Sequence, residues 1–377
     1  MITRRQFSIS AGASALAGFN PARAQTGSTI ILGQSAAFTG PAAQLGIQFY
    51  QGAKVWFDQI NAQGGVGGKT IEIRKMDDGY EPDRCAANTR KLIDEGVFAL
   101  FGYIGTPTSL AALPLAKKEQ VPFIAPFTGA MALREPFSKY VFHLRASYND
   151  ETALIVKQLT NLGLKKIGVF YQNDAYGKAG LDGVTLALGA LNLKPVAQAT
   201  VERNTVDVDG AVKTLLAAAP DAVVQVGAYK ACAAFIRAAR KSGYGGTFYN
   251  VSFVGTQALA DELGKEGAGV VVSQVMPSPY NASQPIAREF IESVKKAGGD
   301  ARANYSSMEG YLAAKLFTEG LRRAGSKGVT WDGLIQGIES IGSTSFGGFN
   351  VQFSSTDHVA SRFVELSMLT GDGRVRT

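Results

Sequence analysis

Histidine and cysteine are scarce in this chain. His143, His358, Cys85 and Cys232 are all that 377 residues contain. No closely spaced His/Cys set has the form of a zinc or haem site. A Ser-His-Asp triad would have to use one of two histidines that sit outside any nucleophile-elbow context. A glycine-rich nucleotide fingerprint between a strand and a helix is missing as well. Cys85 and Cys232 fall in what read as different lobes, so two buried free thiols are expected rather than a bridge. The mildly apolar run Ile9–Phe19 is too short for a transmembrane helix, which needs about 20 residues, and no later stretch is long and apolar enough. Charged residues make up only 18% of the chain, and the formal charge of +7 is mild. That balance does not indicate a nucleic-acid binder. These absences argue against an enzyme, and no metal or cofactor is expected.

What is present begins with an export signal. Thr3-Arg4-Arg5-Gln6-Phe7 is a twin-arginine pattern, and Ala22-Arg23-Ala24 is an A-x-A cleavage signature. Residues 1–24 are read as a signal cleaved after Ala24. Its loss would remove Arg4, Arg5 and Arg23 and no acid, taking the formal charge from +7 to +4. The remaining length suggests two domains. Apolar content of 46% is that of a globular protein, and 44 glycines suit many strand-to-helix turns.

One stretch organises the rest. Thr29–Gly33 is an apolar strand, and Phe38-Thr39-Gly40-Pro41-Ala42 a small-residue turn. Leu45, Phe49, Ala53, Trp56 and Ile60 then recur at helical spacing, giving one apolar face. Asn61–Gly65 stops the helix, and Thr70–Ile73 is a second strand. The small residues either shape the turn only or leave room for an anion at the helix N-terminus. Strands and helices keep alternating. Helices are predicted at Asp83–Glu95, from Thr106-Pro107, and at Glu151–Leu162, Asp174–Leu191, Val208–Ala219 and Tyr229–Ser242. Strands are predicted at Val97–Phe101, Val121–Pro126, Lys166–Tyr171, Val196–Val201, Ala222–Val226, Thr247–Val251 and Val270–Val275. Such alternation predicts parallel sheets with helices on both faces. The last third is mostly helical, at Ile286–Gly298, Tyr305–Ala324 and Trp331–Ser340, with strands at Phe349–Phe353 and Arg362–Leu369. It has too little sheet for a third domain. The fold class is therefore α/β, with two doubly wound lobes. Lobe 1 is expected to hold 29–145 plus 277–352, and lobe 2 to hold 146–276 plus 353–377.

Several motifs occur in a telling order: Thr39-Gly40-Pro41, Ile60–Lys69 and Asp77-Asp78 through Pro82, then Asp174-Ala175-Tyr176-Gly177, Pro220–Val224 and Gly267–Val270. Across the whole mature chain this set resembles the branched-chain amino-acid-binding proteins, type I periplasmic solute-binding proteins of ABC importers. The resemblance implies a two-lobed receptor, leucine-binding-like, that closes on a small solute about a three-crossing hinge. The crossings are expected near Arg145–Tyr148, Val275–Pro279 and Phe349–Phe353.

The resemblance also implies a ligand site. A hydroxyl residue four positions after a strand-end glycine holds the ligand carboxylate in that family. Here it is Thr106 after Gly102, with Tyr103 beside the glycine. A hydroxyl and free helix N–H groups do make an anion cradle, although Thr106 can also be an N-cap. The family's next contact falls at Thr128 and Gly129, with the hydroxyl moved by one position and Phe127 added. Gln44 and Leu45 match the pocket-lining start of the first helix. Tyr176 matches a family aromatic that covers the ligand, Tyr229 sits where the chain meets a helix after Gly227 as in the family, and either can instead be a core or rim tyrosine. The main departure is at Ser252, followed by Phe253. Amino-acid-specific members carry an acid there for the ligand ammonium, and no acid lies between Gly243 and Ala260. Burying an unpaired ammonium costs several kcal/mol. The site thus suits an aromatic or branched aliphatic carboxylate, unless Asp174, Glu309 or another acid compensates. The implied partners are that solute and the ABC permease subunits, with the receptor a monomer and no nucleic acid. The alternatives are a branched-chain or other amino-acid-binding protein, and a periplasmic sensor for a membrane signalling protein.

Overall fold

The computed structural model describes residues 28–377. The export signal read at 1–24 lies outside the described residues. The first half-chain runs β1 (Thr29–Ala36), α1 (Ala43–Ala62), β2 (Thr70–Asp77), α2 (Pro82–Asp94), β3 (Ala99–Phe101), α3 (Thr106–Lys118), β4 (Phe123–Ile124) and β5 (Val141–Phe142). These five strands form one parallel sheet in the order β2-β1-β3-β4-β5. Next come α4 (Tyr148–Asn161), β6 (Ile167–Gln172), α5 (Ala175–Gly189), β7 (Ala197–Val201), α6 (Asp209–Ala217), β8 (Ala222–Val226), α7 (Tyr229–Lys241), β9 (Thr247–Asn250), α8 (Thr256–Leu263) and β10 (Val271–Gln274). Then follow α9 (Pro285–Ala297), α10 (Tyr305–Arg323), α11 (Trp331–Glu339), β11 (Ser343–Phe346), β12 (Phe349–Gln352), β13 (Glu365–Leu369) and β14 (Val375–Arg376). The second sheet has the order β14-β13-β10-β9-β8-β6-β7, parallel except where β13 and β14 join antiparallel.

The late helices return to the first sheet. Trp56 of α1 stacks edge-on against Tyr311 of α10, ring centroids 5.2 Å apart, and its indole N–H donates to Thr318. Trp331 of α11 donates to the Phe98 carbonyl at 2.7 Å. The apolar stripe of α1 packs as its spacing predicts, with Leu45, Phe49, Ala53, Trp56 and Ile60 all buried. In the second lobe Phe170 stacks on Phe235 at 4.3 Å.

Three differences from the sequence reading stand out. The third crossing lies later than Phe349–Phe353. β12 is occupied by its hairpin with β11, and the chain then passes His143, bridging it through Val359, before entering the second sheet at Glu365. Helix α8 was missed because it is a single short stretch behind Gly255, with Leu259 and Leu263 as its only large apolar residues. The run Val121–Pro126 pairs only at Phe123 and Ile124, because prolines on either side lack the N–H a ladder needs.

Both cysteines are fully buried and free. Burial pushes both thiols well above their usual range, and the thiolate is the reactive form. A thiol reagent should therefore find neither in the native protein and both after unfolding. Fast native-state labelling would contradict this burial.

Candidate functional site

Each sheet has a switch point where strand order reverses, at β1/β3 in the first and β6/β8 in the second. Ligands of doubly wound folds bind beyond the carboxyl ends of such strands. The loops after β3, β4, β6, β8 and β9 meet there across the cleft, bringing most of the candidate residues together.

On the first lobe, α3 starts at Thr106 behind Gly105, whose φ of 98° places it in the left-handed region. The ring of Tyr80 lies where a side chain on residue 105 would project, so only glycine lets that ring approach the helix end. Gly105, not Thr106, is the N-cap. The Thr106 hydroxyl is left for another role, and it lies 2.6 Å from the Thr128 hydroxyl. Helix geometry leaves the first N–H groups unpaired within the helix. Ser109 already donates to Gly105, and Pro107 has no N–H, so the free amides are those of Thr106 and Thr108. Thr128 also accepts from the Ala130 amide at 3.2 Å. A side chain at Gly129 would collide with the backbone and ring of Tyr148, whose amide donates to the Gly129 carbonyl at 2.8 Å. The result is two hydroxyls and a helix N-terminus converging without a nearby carboxylate partner, an arrangement suited to an anion.

The second lobe contributes rings. Asp174 caps α5 by accepting from the amides of Tyr176 and Gly177. This holds Tyr176 with its hydroxyl donating to the Gly227 carbonyl at 3.4 Å. Phe253 lies 4.4 Å from Tyr176, 5.7 Å from Phe127 and 5.8 Å from Tyr80, measured between ring centroids. Tyr148 completes the cluster, 5.4 Å from Tyr176. Each of these five rings is at most 1% exposed, so the lobes are shut and a solute can enter only if they part. Burial drives the Tyr80 and Tyr176 hydroxyls well above their ordinary values and Tyr148 to about 12, so all three are neutral hydrogen-bonding groups.

The remaining candidates are dispersed around this centre. Leu45 is buried against Gly255 of the opposite lobe. The Gln44 side chain is exposed, but its backbone amide lies against the Tyr229 hydroxyl, so this pair sits at the rim of the interface. Tyr103 does not face the cleft. The chain turns at Gly102, whose φ is 61°. Tyr103 therefore lies under α2, accepting from Thr89 at 3.1 Å and packing edge-on against Phe123 at 5.0 Å.

Ser252 sits in a charged network the sequence did not reveal. Its amide and hydroxyl donate to Glu151 at 2.7 and 3.0 Å, and Ser273 donates to the same carboxylate at 2.6 Å. Arg145 donates to the Ser252 hydroxyl at 3.1 Å and to both oxygens of Glu309 at 2.8 and 2.7 Å. Its guanidinium lies 3.9 Å above the Phe127 ring centroid. Burial opposes the Arg145 charge, but Glu309 overcomes that and holds its pKa above the ordinary value. Burial pushes Glu151 upward, with Arg145 and the serine donors opposing the shift.

A polar latch closes the cleft mouth. Arg203 donates to Glu81 at 3.0 Å across the cleft and to Asp174 at 3.2 Å on its own side. Asn204 donates to the Gly79 carbonyl at 3.0 Å and to Glu81 at 2.7 Å, and Gln172 reaches the Tyr80 hydroxyl at 3.3 Å. Partly exposed pairs of this kind contribute about 0.2–1 kcal/mol each. Arg203→Ala with Asn204→Ala should weaken ligand binding several-fold, mainly through faster release, and the loss should shrink as salt rises. Stopped-flow dissociation at two ionic strengths checks this, and an unchanged release rate would contradict it.

Among the described residues no group of three or more His, Cys, Asp or Glu could hold a metal, and no helix is long and apolar enough to cross a membrane.

Known proteins share this architecture. The periplasmic binding protein family model matches residues 29–374. The Leu/Ile/Val-binding protein homolog 7 of Brucella suis is 26% identical over 389 aligned positions, covering 97% of this chain and 94% of that one. A solved structure described as a possible leucine/isoleucine/valine-binding protein from Rhodopirellula baltica superposes with a TM-score of 0.87 at 34% identity, covering 94% of this chain and 97% of that one. A substrate-binding periplasmic protein from Ralstonia solanacearum gives 0.86 at 30% identity, covering 92% and 99%. Two lobes shut over a cleft at paired switch points, matched end to end by these relatives, place the chain in the periplasmic binding protein family, in its type I branched-chain amino-acid-binding branch.

Proposed function

We propose that this chain is the periplasmic solute receptor of an ABC importer, and that it closes on a small carboxylate lacking an α-ammonium group. Aromatic and branched aliphatic acids, keto acids included, fit that description. One observation carries the reading: Arg145 already supplies a cation to Glu309 and to the Ser252–Glu151 pair. A ligand ammonium would compete with a guanidinium fixed by the fold. Asp174 offers no better partner, since it caps α5 and binds Arg203 and Gln172. Thr106, Thr128 and the α3 amides hold the carboxylate in this reading, and Tyr80, Tyr148, Tyr176, Phe127 and Phe253 enclose the rest of the solute.

The proposed lobes are 29–145 with 277–352 and 146–276 with the chain from Glu365, the stretch 353–364 forming the third crossing, and the receptor works as a monomer. After export under the signal at 1–24, opening would separate Tyr176 and Phe253 from Tyr80 and Phe127. Ligand then favours the closed state through contacts made only there. Small-angle scattering tests the motion. The radius of gyration without ligand should exceed that of the shut structure, and saturating 4-methyl-2-oxopentanoate should reduce it. If an acid that binds by calorimetry leaves the radius unchanged, closure on the solute is contradicted.

A further inference from the structure

Arg134 follows the short 3-10 helix Met131–Leu133 and is 9% exposed. Its guanidinium donates to four backbone carbonyls: Thr128 at 3.3 Å, Ala130 at 3.0 Å, Arg145 at 3.0 Å and Ala146 at 3.3 Å. Among the described residues it makes no ion pair, and its Nε–H has no acceptor. Burial lowers its pKa only to about 10, so it stays charged at neutral pH. The titratable groups around it are Arg145, Tyr148, Asp150, Glu151 and His143. Each acid among them is engaged elsewhere. Asp150 closes the α4 capping box by accepting from the Ser147 amide and hydroxyl, at 2.9 and 2.6 Å. Glu151 accepts from Ser252 and Ser273, and Glu309, beyond Arg145, is fully paired with it.

A buried cation without a counter-ion is costly. The carbonyls offset part of that cost; two of them belong to the Thr128–Ala130 loop of the anion cradle and two to the segment that leads into Tyr148. Thr128 carries one of the cradle hydroxyls, and Gly129 seats Tyr148. We propose that Arg134 is a positioning and specificity-determining residue: from behind the Thr128 loop, its fixed charge makes the cleft select a carboxylate over an isosteric neutral ligand. The proposal rests on the carboxylate reading of the Thr106–Thr128 site. The route from Arg134 to the ligand is direct Coulomb attraction inside a region of low dielectric.

The competing role is a mechanical brace holding loop 128–130 to 145–146. A brace supports any ligand, whereas a charge supports only an anion. Calorimetry with 4-methylpentanoate and 4-methylpentanamide separates them. The wild type should prefer the acid. Arg134→Met should cut acid affinity about tenfold, in the range of one charge-assisted interaction, and leave amide affinity within about twofold. Arg134→Lys, which keeps the charge but not the planar fork, should retain most of the acid-over-amide preference, and it serves the test even if the Met variant folds poorly. Equal losses for both ligands in Arg134→Met, or loss of the preference in Arg134→Lys, would overturn the role of Arg134 alone. A wild type that binds the amide as tightly as the acid would overturn the carboxylate reading, and this proposal with it.

Discussion

Glu309→Gln should destabilise the protein by about 3–5 kcal/mol, the range for removing one partner of a buried ion pair. The side chains of Arg145 and Glu309 are 1% and 3% exposed. Their contact is bidentate, and the third arm of the guanidinium is fixed to Ser252. A glutamine cannot neutralise the charge, and the Phe127 face below it offsets only part of the loss. Arg145→Met with Glu309→Leu removes both charges and should recover much of the stability, since apolar replacement of a whole buried pair is often neutral or better. Glu151 would keep its serine donors in that double variant. Urea unfolding of the three proteins, followed through their first transition, checks the order wild type ≥ double variant > Glu309→Gln. A loss below about 1 kcal/mol for Glu309→Gln would show the pair to be solvated, contrary to its burial.

Thr106→Ala should weaken acid binding by about 1.5–3 kcal/mol, the range for a hydrogen bond to a charged group. That corresponds to roughly ten- to 150-fold in affinity. The substitution also removes the bond to Thr128, so the remaining hydroxyl could turn to the carboxylate and hold the loss toward the lower end. Stability should change by only about 1 kcal/mol, since a single neutral hydrogen bond is lost. Calorimetry of the variant against the acids bound by the wild type measures the effect. Unchanged affinity would remove Thr106 from the site and leave the α3 N-terminus without its hydroxyl.

The lobed architecture was legible in the sequence because its elements declare themselves locally. The β8 run Ala222–Val226 is buried on both faces and stands where its apolar pattern puts it. The α1 stripe and the Asp174 cap are likewise short-range signals. The charged heart of the cleft was not legible in this way. Arg145 meets a partner 164 residues away, and Ser252 meets an acid 101 residues away. No spacing rule links them. The family resemblance placed Ser252 where amino-acid-specific receptors are expected to carry an acid, and gave no sign that Glu151 on α4 bonds to Ser252. Tyr80 and Tyr148 were missed for a similar reason. Each looks like an ordinary turn or helix-start residue until Gly105 and Gly129 are seen to make room for its ring. Tyr103 lies away from the cleft because the chain turns at Gly102, whose φ is 61°, and carries the ring under α2 against Thr89 and Phe123.

The most direct test of the central claim is calorimetry with a matched pair, leucine and 4-methyl-2-oxopentanoate. The two share a carboxylate and a branched tail and differ in whether the α-carbon carries an ammonium or a keto oxygen. With Arg145 occupying the acids of the cleft, the keto acid should bind more tightly. Tighter binding of leucine would contradict the account and show that an acid in the cleft accepts the ligand ammonium.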